Sequence, residues 1–467
     1  MQNIYRPNVT ETPKAPSLKE ALSAARETRC LEIGAGVNAG TARVFREQFG
    51  ERLAVIVSDP NTLAVAGKTV AASFHAVGHS MLEPFIFRAP DLYAEHRFVV
   101  ELETALRQHA AIPVAVGSGT INDLTKLASH RTGRPYMCVA TAASMDGYTA
   151  FGASITHLGS KQTFLCPAPV AVVADLNVIC AAPAEMNAWG YADLMSKVTA
   201  GADWVLADAL GAEPIDAQAW AIVQGRLRKL VADAAGVRAQ EPAAIGRLVE
   251  GLMLGGFAMQ SARSSRPASG AEHQFSHLWD MQHHTHNGHA PSHGVKVGIG
   301  TLAVTALYER LLDQPLDQLD IDACCAAWPD ADAWANRARV LLGEGALADS
   351  AARELRAKHS DAVQLRTQLE TLRLSWPELR QKLRRQLLPL TTLKGMLNAA
   401  GAPTEPEQIG ISRARLRQSY WQALCIRRRF TVLDLAVRAG LLDRCLEQIF
   451  GPGGLWPADL LEPAGTK

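Results

Sequence analysis

The stretch SRPASGAEHQFSHLWDM, residues 265–281, sets His273 and His277 four positions apart, and His293 follows at the head of the next helical pattern. Four residues is about one helical turn, so the two imidazoles share a helix face. Grouped imidazoles are common ligands of divalent transition metals. The pair does not form the HExxH motif of a metalloprotease, because Gln274 stands where the glutamate belongs. A metal that keeps an open position for substrate needs three protein ligands, so one must come from elsewhere in the chain. His283, His284, His286 and His289 crowd the following loop and are expected mostly to face solvent.

Two glycine-bearing turns could hold a nucleotide. In PVAVGSGTINDLTKLAS, residues 113–129, the positions Gly117, Ser118, Gly119 and Thr120 would present backbone N–H groups at a helix N-terminus, where unpaired donors and the helix dipole suit a pyrophosphate. The Gly-Lys-Ser/Thr ending of a P-loop is missing. In LEIGAGVNAG, residues 31–40, the glycines suit a dinucleotide or a methyl donor. Asp59 stands 19 positions beyond Gly40, the separation at which an acidic residue meets a ribose hydroxyl, and it equally suits a cap for the DPNT turn.

Short apolar runs near residues 29–34, 52–59, 113–119, 135–142 and 169–176 alternate with amphipathic segments, which requires a parallel sheet wrapped by helices. Residues 1–181 are read as this Rossmann-like α/β domain. Beyond them, apolar residues recur at three and four positions, and residues 182–467 are read as all-helical. An Arg- and Leu-rich stretch at about 330–385 is expected to form charged surface helices or an oligomer contact.

The totals exclude several classes. With 467 residues the chain can bury two cores. Its 47 Lys and Arg against 46 Asp and Glu leave no net field for nucleic acid or an anionic membrane. Eight dispersed cysteines without a CxxC pair read as reduced thiols. The polar leader MQNIYRPNVTETPKAPSLKE lacks the pattern of a signal peptide, and no run of about 18 apolar residues offers a membrane span. A cytoplasmic protein is expected, and a homo-oligomer is the expected assembly.

GSGTINDLTK (117–126), VATAASMDGYTAFGA (139–153), WGYADLMSKVTAGADW (189–204), SRPASGAEHQFSHLWDM and HGVKVGIGT (293–301) together resemble the glycerol-1-phosphate dehydrogenases. These belong with the iron-type alcohol dehydrogenases, glycerol dehydrogenases and dehydroquinate synthases. The resemblance implies an N-terminal Rossmann-like domain, a helical C-terminal domain, and nicotinamide cofactor and metal meeting between them. It implies that Gly117, Ser118, Gly119, Thr120 and Ile121 hold the pyrophosphate. It places Thr141, Ala142, Ala143 and Ser144 along the cofactor and Asp59 at the adenosine ribose. Asp193, His273 and His293 match the three metal ligands, while Asp146, Asp193 and His277 match the catalytic and substrate-side positions. Ala150 replaces a serine frequent in the family. LEIGAGVNAG then becomes a decoy.

The implied reaction interconverts dihydroxyacetone phosphate and sn-glycerol 1-phosphate with NAD(H) or NADP(H). Asp59 leans toward NAD, since a carboxylate repels a 2′-phosphate. Two imidazoles and a carboxylate with an open position suit Zn2+ first, and Ni2+ or Fe2+ next. Lys161, Arg266 and Lys296 are the nominated partners of the substrate phosphate. The rival readings are a glycerol dehydrogenase or dehydroquinate synthase-like enzyme of the same fold, a methyltransferase built on LEIGAGVNAG, and a non-catalytic helical scaffold.

Overall fold

The β-branched runs fold as expected into strands of one parallel sheet. The computed structural model describes residues 15–90, 92–157 and 160–457, so most of the polar leader lies outside the described residues. The strands are β1 (Cys30–Gly34), β2 (Ala54–Ser58), β3 (Phe85–Ile86), β4 (Ile112–Gly117), β5 (Met137–Ala140) and β8 (Ala171–Asp175), in the order β1-β8-β5-β4-β2-β3. A separate antiparallel hairpin, β6 (Ala153–His157) and β7 (Ser160–Phe164), lies between β5 and β8 in the chain. Neither β3 nor the hairpin carries a strand signal in the sequence. Two residues carry no periodicity, and ASITH and SKQTF are too polar to read as buried strands.

Burial alternates along the sheet as the pleat requires. Ala54 and Ile56 join Val114, Val139 and Val173 in a core on one face. Val55 and Val57 join Ala115, Cys138 and Val172 on the other, and this second core runs on without a break into the helices that follow.

Those helices include α2 (Ala184–Met195), α3 (Lys197–Ala209), α4 (Pro242–Ala262), α5 (Ala271–Met281) and α6 (His293–Leu312). The helix α1 (Gly119–Arg131) belongs to the sheet half and springs directly from β4. Among the described residues no strand lies beyond residue 182. No helix among them is long and apolar enough to cross a membrane. None of the eight cysteines is bridged.

The Arg-rich stretch forms α7 (Ala331–Leu342), α8 (Ala346–Ala357) and the 25-residue α9 (Ala362–Gln386). It is more than a solvated face. Leu365, Leu369, Leu372, Trp376, Leu379 and Leu383 are buried at helical spacing along α9, which packs on α3.

The turn after β1 has a definite reason not to hold a nucleotide. Two of its donors are already used: the buried carboxylate of Asp175, at the end of neighbouring β8, accepts from Gly36 N at 2.9 Å and Asn38 N at 3.0 Å. The same side chain caps the next helix through Asn177 N at 3.0 Å. An internal anion thus fills the cradle that a phosphate would need. Asp175→Ala should strand these three donors, lower stability by about 2–4 kcal/mol in urea titrations, and leave the KM for cofactor unchanged.

Candidate active site

The direction of the chain reverses between β2 and β4: β2 leads outward to β3, whereas β4 leads to β5 on its other side. Ligands of open α/β sheets bind at the carboxyl ends of strands at such a point. Asp59 follows β2 and Gly117 closes β4, each two residues beyond the paired Val57 and Ala115. The two features read from sequence therefore stand side by side. Asp59 Oδ1 caps its turn, accepting from Asn61 N at 2.8 Å and Thr62 N at 2.9 Å, so the capping reading holds whatever its other oxygen does.

At Gly117 a side chain is excluded by the helix that follows. A Cβ there would lie 2.5 Å from Cβ of Ile121. Ser118, Gly119 and Thr120 line a cavity of about 1070 Å3 between the sheet and the helical half. Ser144, Asp146, Ala150, His273, His277 and His293 line it too. Gly117, Ile121, Thr141, Ala142 and Ala143 stand behind that wall, with Ile121, Thr141, Ala142 and Ala143 buried.

Close backbone contacts bring the helical half to this loop. Ala143 O would lie 1.8 Å from a Cβ on Gly190 in α2, and Trp189 O would lie 2.0 Å from a Cβ on Gly294 in α6. Packed this way, α2 delivers Asp193 to the loop carrying Asp146, whose N–H donates to Asp193 Oδ2 at 2.9 Å. The loop itself is clamped from α1: Lys126 Nζ, fully buried, donates to the carbonyls of Gly147, Ala150 and Gly152 at 2.8–3.0 Å.

Asp193, His273 and His293 converge. One potential ligand atom from each lies within 4.8 Å of the others, and His273 Nε2 is 3.7 Å from Asp193 Oδ1. The ring centroids of His273 and His293 are 5.2 Å apart, and His277 lies within 6.3 Å of both. Asp193 is wholly buried, so it forms the floor of the cluster and does not appear on the cavity surface.

Two neighbours that sequence reading passed over complete the arrangement. Glu272 Oε1 lies 2.8 Å from His273 Nδ1. Burial alone would raise the Glu272 carboxyl, but hydrogen bonds from His273 and from Gly270 N outweigh it and hold the group below its ordinary range. An ionised carboxylate only accepts, so Nδ1–H is the edge of the ring that faces Glu272, and Nε2 is turned toward Asp193. Thr199 Oγ1 donates to the other Glu272 oxygen at 2.8 Å.

The second is Lys197, one turn after Asp193. Its buried Nζ lies 2.8 Å from both Asp193 Oδ1 and Asp146 Oδ2. Burial works to lower its pKa, and the two carboxylates raise it further than burial lowers it. The lysine stays charged and fixes both acids. An Asp-x-x-x-Lys pair inside an otherwise apolar helical segment was the available signal.

Of the cations nominated for a substrate phosphate, two are committed elsewhere. Arg266 is buried and donates to Phe430 O at 3.0 Å and Asp203 O at 2.7 Å. Lys296 is buried in an ion pair with Asp280. The side chain of Lys161 lies outside the described residues. In the histidine-rich loop, His284 is buried against Ile409 O at 2.6 Å, while His283 and His289 are exposed.

Residues 32–183 match the family model described as iron-containing alcohol dehydrogenase. Over 258 residues the chain is 37% identical to a glycerol-1-phosphate dehydrogenase [NAD(P)+] of Halalkalibacterium halodurans, covering 55% of this chain and 64% of that relative. Over 278 residues it is 34% identical to the protein of the same name from Pyrococcus furiosus, covering 59% of this chain and 77% of the relative. The chain belongs to the glycerol-1-phosphate dehydrogenase family. A solved structure titled as a probable glycerol dehydrogenase from Sinorhizobium meliloti 1021 superposes with a TM-score of 0.58 over 90% of this chain and 98% of its own, at 17% identity. That likeness bears on the fold, a parallel sheet followed by helices. Family membership makes the chain an NAD(P)-linked oxidoreductase and is consistent with a metal ion. It also disposes of the methyltransferase and scaffold readings.

Proposed function

We propose that this chain interconverts dihydroxyacetone phosphate and sn-glycerol 1-phosphate, with Asp193, His273 and His293 holding one divalent cation at the cavity floor. The observation that carries the reading is the convergence of those three side chains beside the Gly117–Ile121 turn, in a member of this family. The donor set fits a cation: one buried carboxylate and two imidazoles, with Nδ1 of His273 held by Glu272 and Nδ1 of His293 3.3 Å from Ser276 Oγ. Two nitrogens and one oxygen with room for substrate favour Zn2+, and Ni2+ or Fe2+ accept the same set.

When bound, nicotinamide supplies the hydride and the cation offsets charge developing on the ketone oxygen. The protein does the rest. Backbone N–H groups at Ser118, Gly119 and Thr120 receive the pyrophosphate at the head of α1, and Thr141, Ala142, Ala143 and Ser144 shape the wall beside the cofactor. Asp146, fixed by Lys197, and His277, one turn beyond His273, orient the substrate hydroxyls and pass the proton to the oxygen as the alcohol forms. Asp59 beside the ribose favours NADH over NADPH.

Eight unbridged cysteines support a cytoplasmic setting.

NADH oxidation assays with dihydroxyacetone phosphate and with dihydroxyacetone test the reading. A kcat/KM at least about 100-fold higher for the phosphate is expected, since a buried charged contact is worth that much. Equal turnover, or preference for the unphosphorylated triose, would instead support a glycerol dehydrogenase. Glu272→Gln should leave the fold intact and weaken metal retention about 10- to 100-fold, measured by competition with a chelator.

A further inference from the structure

The segment Ile426–Thr431, IRRRFT, joins α10 (Arg413–Cys425) to α11 (Val432–Arg438) and carries three successive arginines along the cavity wall. Two of the three are tethered. Arg428 forms a fork on Glu354 of α8, with Nη2 to Oε1 at 2.8 Å and Nε to Oε2 at 3.1 Å, and its own N–H adds a third bond at 2.9 Å. Arg429 donates to Ser269 O at 2.6 Å and Ser265 Oγ at 2.9 Å, immediately ahead of the helix that carries His273.

Other cations of the wall are also accounted for. Lys358 pairs with Asp434 at 2.9 Å, and Arg438 donates to Gln368 Oε1 and Lys358 O. The guanidinium of Arg427 is different. It lines the same cavity, yet among the described residues it has no hydrogen-bond partner and no ion pair within 4 Å. It is only partly exposed, and burial lowers its pKa, with the already engaged Glu354 acting in the opposite sense. The group is open to the cavity, and its planar fork matches a phosphate through two parallel bonds.

The loop is held rigidly. Thr431 N donates to Asp434 Oδ2 at 3.0 Å, and Val432 N donates to Asp203 Oδ1 at 2.9 Å. Asp203 Oδ2 in turn accepts from Ala271 N at 2.7 Å at the start of α5. One buried carboxylate therefore ties the arginine loop to the helix bearing His273 and His277. A side chain on such a support keeps its place relative to the reacting carbon.

We infer that Arg427 receives the phosphate of the triose substrate, replacing the nominated Arg266 and Lys296, whose charges are already used. The inference rests on the proposed function and deepens it. Arg428 is not the ligand's partner, because Glu354 of α8 already holds it through a two-bond fork.

The test compares wild type with Arg427→Gln, Arg427→Lys and Arg428→Gln, using dihydroxyacetone phosphate, dihydroxyacetone and inorganic phosphate as probes. Arg427→Gln is expected to lower the ratio of kcat/KM for the phosphorylated over the unphosphorylated triose about 100-fold. It should also abolish competitive inhibition by inorganic phosphate. Arg427→Lys, which keeps the charge without the fork, should lose about 10-fold and serves if the glutamine variant does not fold. Arg428→Gln should hold the ratio within about threefold. A ratio unchanged in Arg427→Gln or Arg427→Lys, or a rise confined to the KM for NADH or NADPH, overturns the assignment of Arg427. A wild-type enzyme inert toward dihydroxyacetone phosphate overturns the proposed function itself.

Discussion

Asp193→Asn and His273→Ala should each yield folded protein that has lost its bound divalent metal and at least roughly three orders of magnitude in kcat/KM. The size follows from several kcal/mol of charge stabilisation at about 1.4 kcal/mol per tenfold in rate. Both changes leave the neighbouring charges paired, although the carboxamide in Asp193→Asn accepts from only one of Lys197 and the Asp146 amide. In Asp193→Asn, Lys197 retains Asp146 as a counter-charge, and in His273→Ala, Glu272 retains Thr199 and Gly270 N. Circular dichroism and a urea midpoint should therefore stay near wild type while metal content, read by plasma emission spectroscopy, falls to background. Full turnover by metal-free His273→Ala would refute the assignment of the ligands.

The second large effect is structural and lies at Gly190. A valine there drives its Cβ into the carbonyl of Ala143, a backbone atom that cannot swing away, so either α2 or the loop from residue 141 to 146 must move. Overpacking of this kind costs typically about 1–3 kcal/mol where side chains can adjust, and more where the obstacle is backbone. Gly190→Val should therefore lower stability by at least about 3 kcal/mol. The remaining folded protein should bind metal poorly, because Asp193 leaves the Asp146 amide. Gly395 supplies the opposite sign. A Cβ there meets nothing within 4 Å, and Gly395→Ala should stabilise the helix Leu390–Ala400 by about 0.5–1 kcal/mol. Two thermal melts separate the outcomes, and equal behaviour of the two variants would contradict the packing described around α2.

Much of this architecture is legible in the chain because local chemistry and tertiary structure agree. RLAVIVSD, PVAVGSG and PVAVVADL carry β-branched runs flanked by turns, and each becomes a strand buried on both faces. Gly117 marks itself by standing between an apolar strand and a helix. LEIGAGVNAG carries the same local pattern and differs only in Asp175, well over a hundred residues away, which no window of sequence connects to it.

The cluster of acids and imidazoles shows the same division. His273 and His277 announce themselves by helical spacing, but Asp193 lies 80 positions earlier and is singled out only by the family motif around it. Glu272 acts through His273, and its type alone suggests nothing more than solvated charge, whereas Lys197 is marked only by its place one turn after Asp193 in an apolar helical segment. Arg427 is invisible for another reason. In the run of three arginines, the two neighbours find partners on α8 and near Ser269, and only the folded chain shows which one is left over.

The stretch from 330 to 385 was expected at the surface on the strength of its charge. Its Leu and Trp stripe instead packs α9 onto α3, and Glu354 and Lys358 reach the cavity wall. A composition rich in Arg and Glu describes the outer face of such helices and says little about the inner one.

Anomalous diffraction from crystals of fully active protein, recorded above and below the zinc, nickel and iron edges, tests the central assignment most directly. One strong peak within about 2.3 Å of an Asp193 carboxylate oxygen, His273 Nε2 and a ring nitrogen of His293 is the predicted result. A peak anywhere else, or none in crystals that retain full turnover when dissolved, would contradict it.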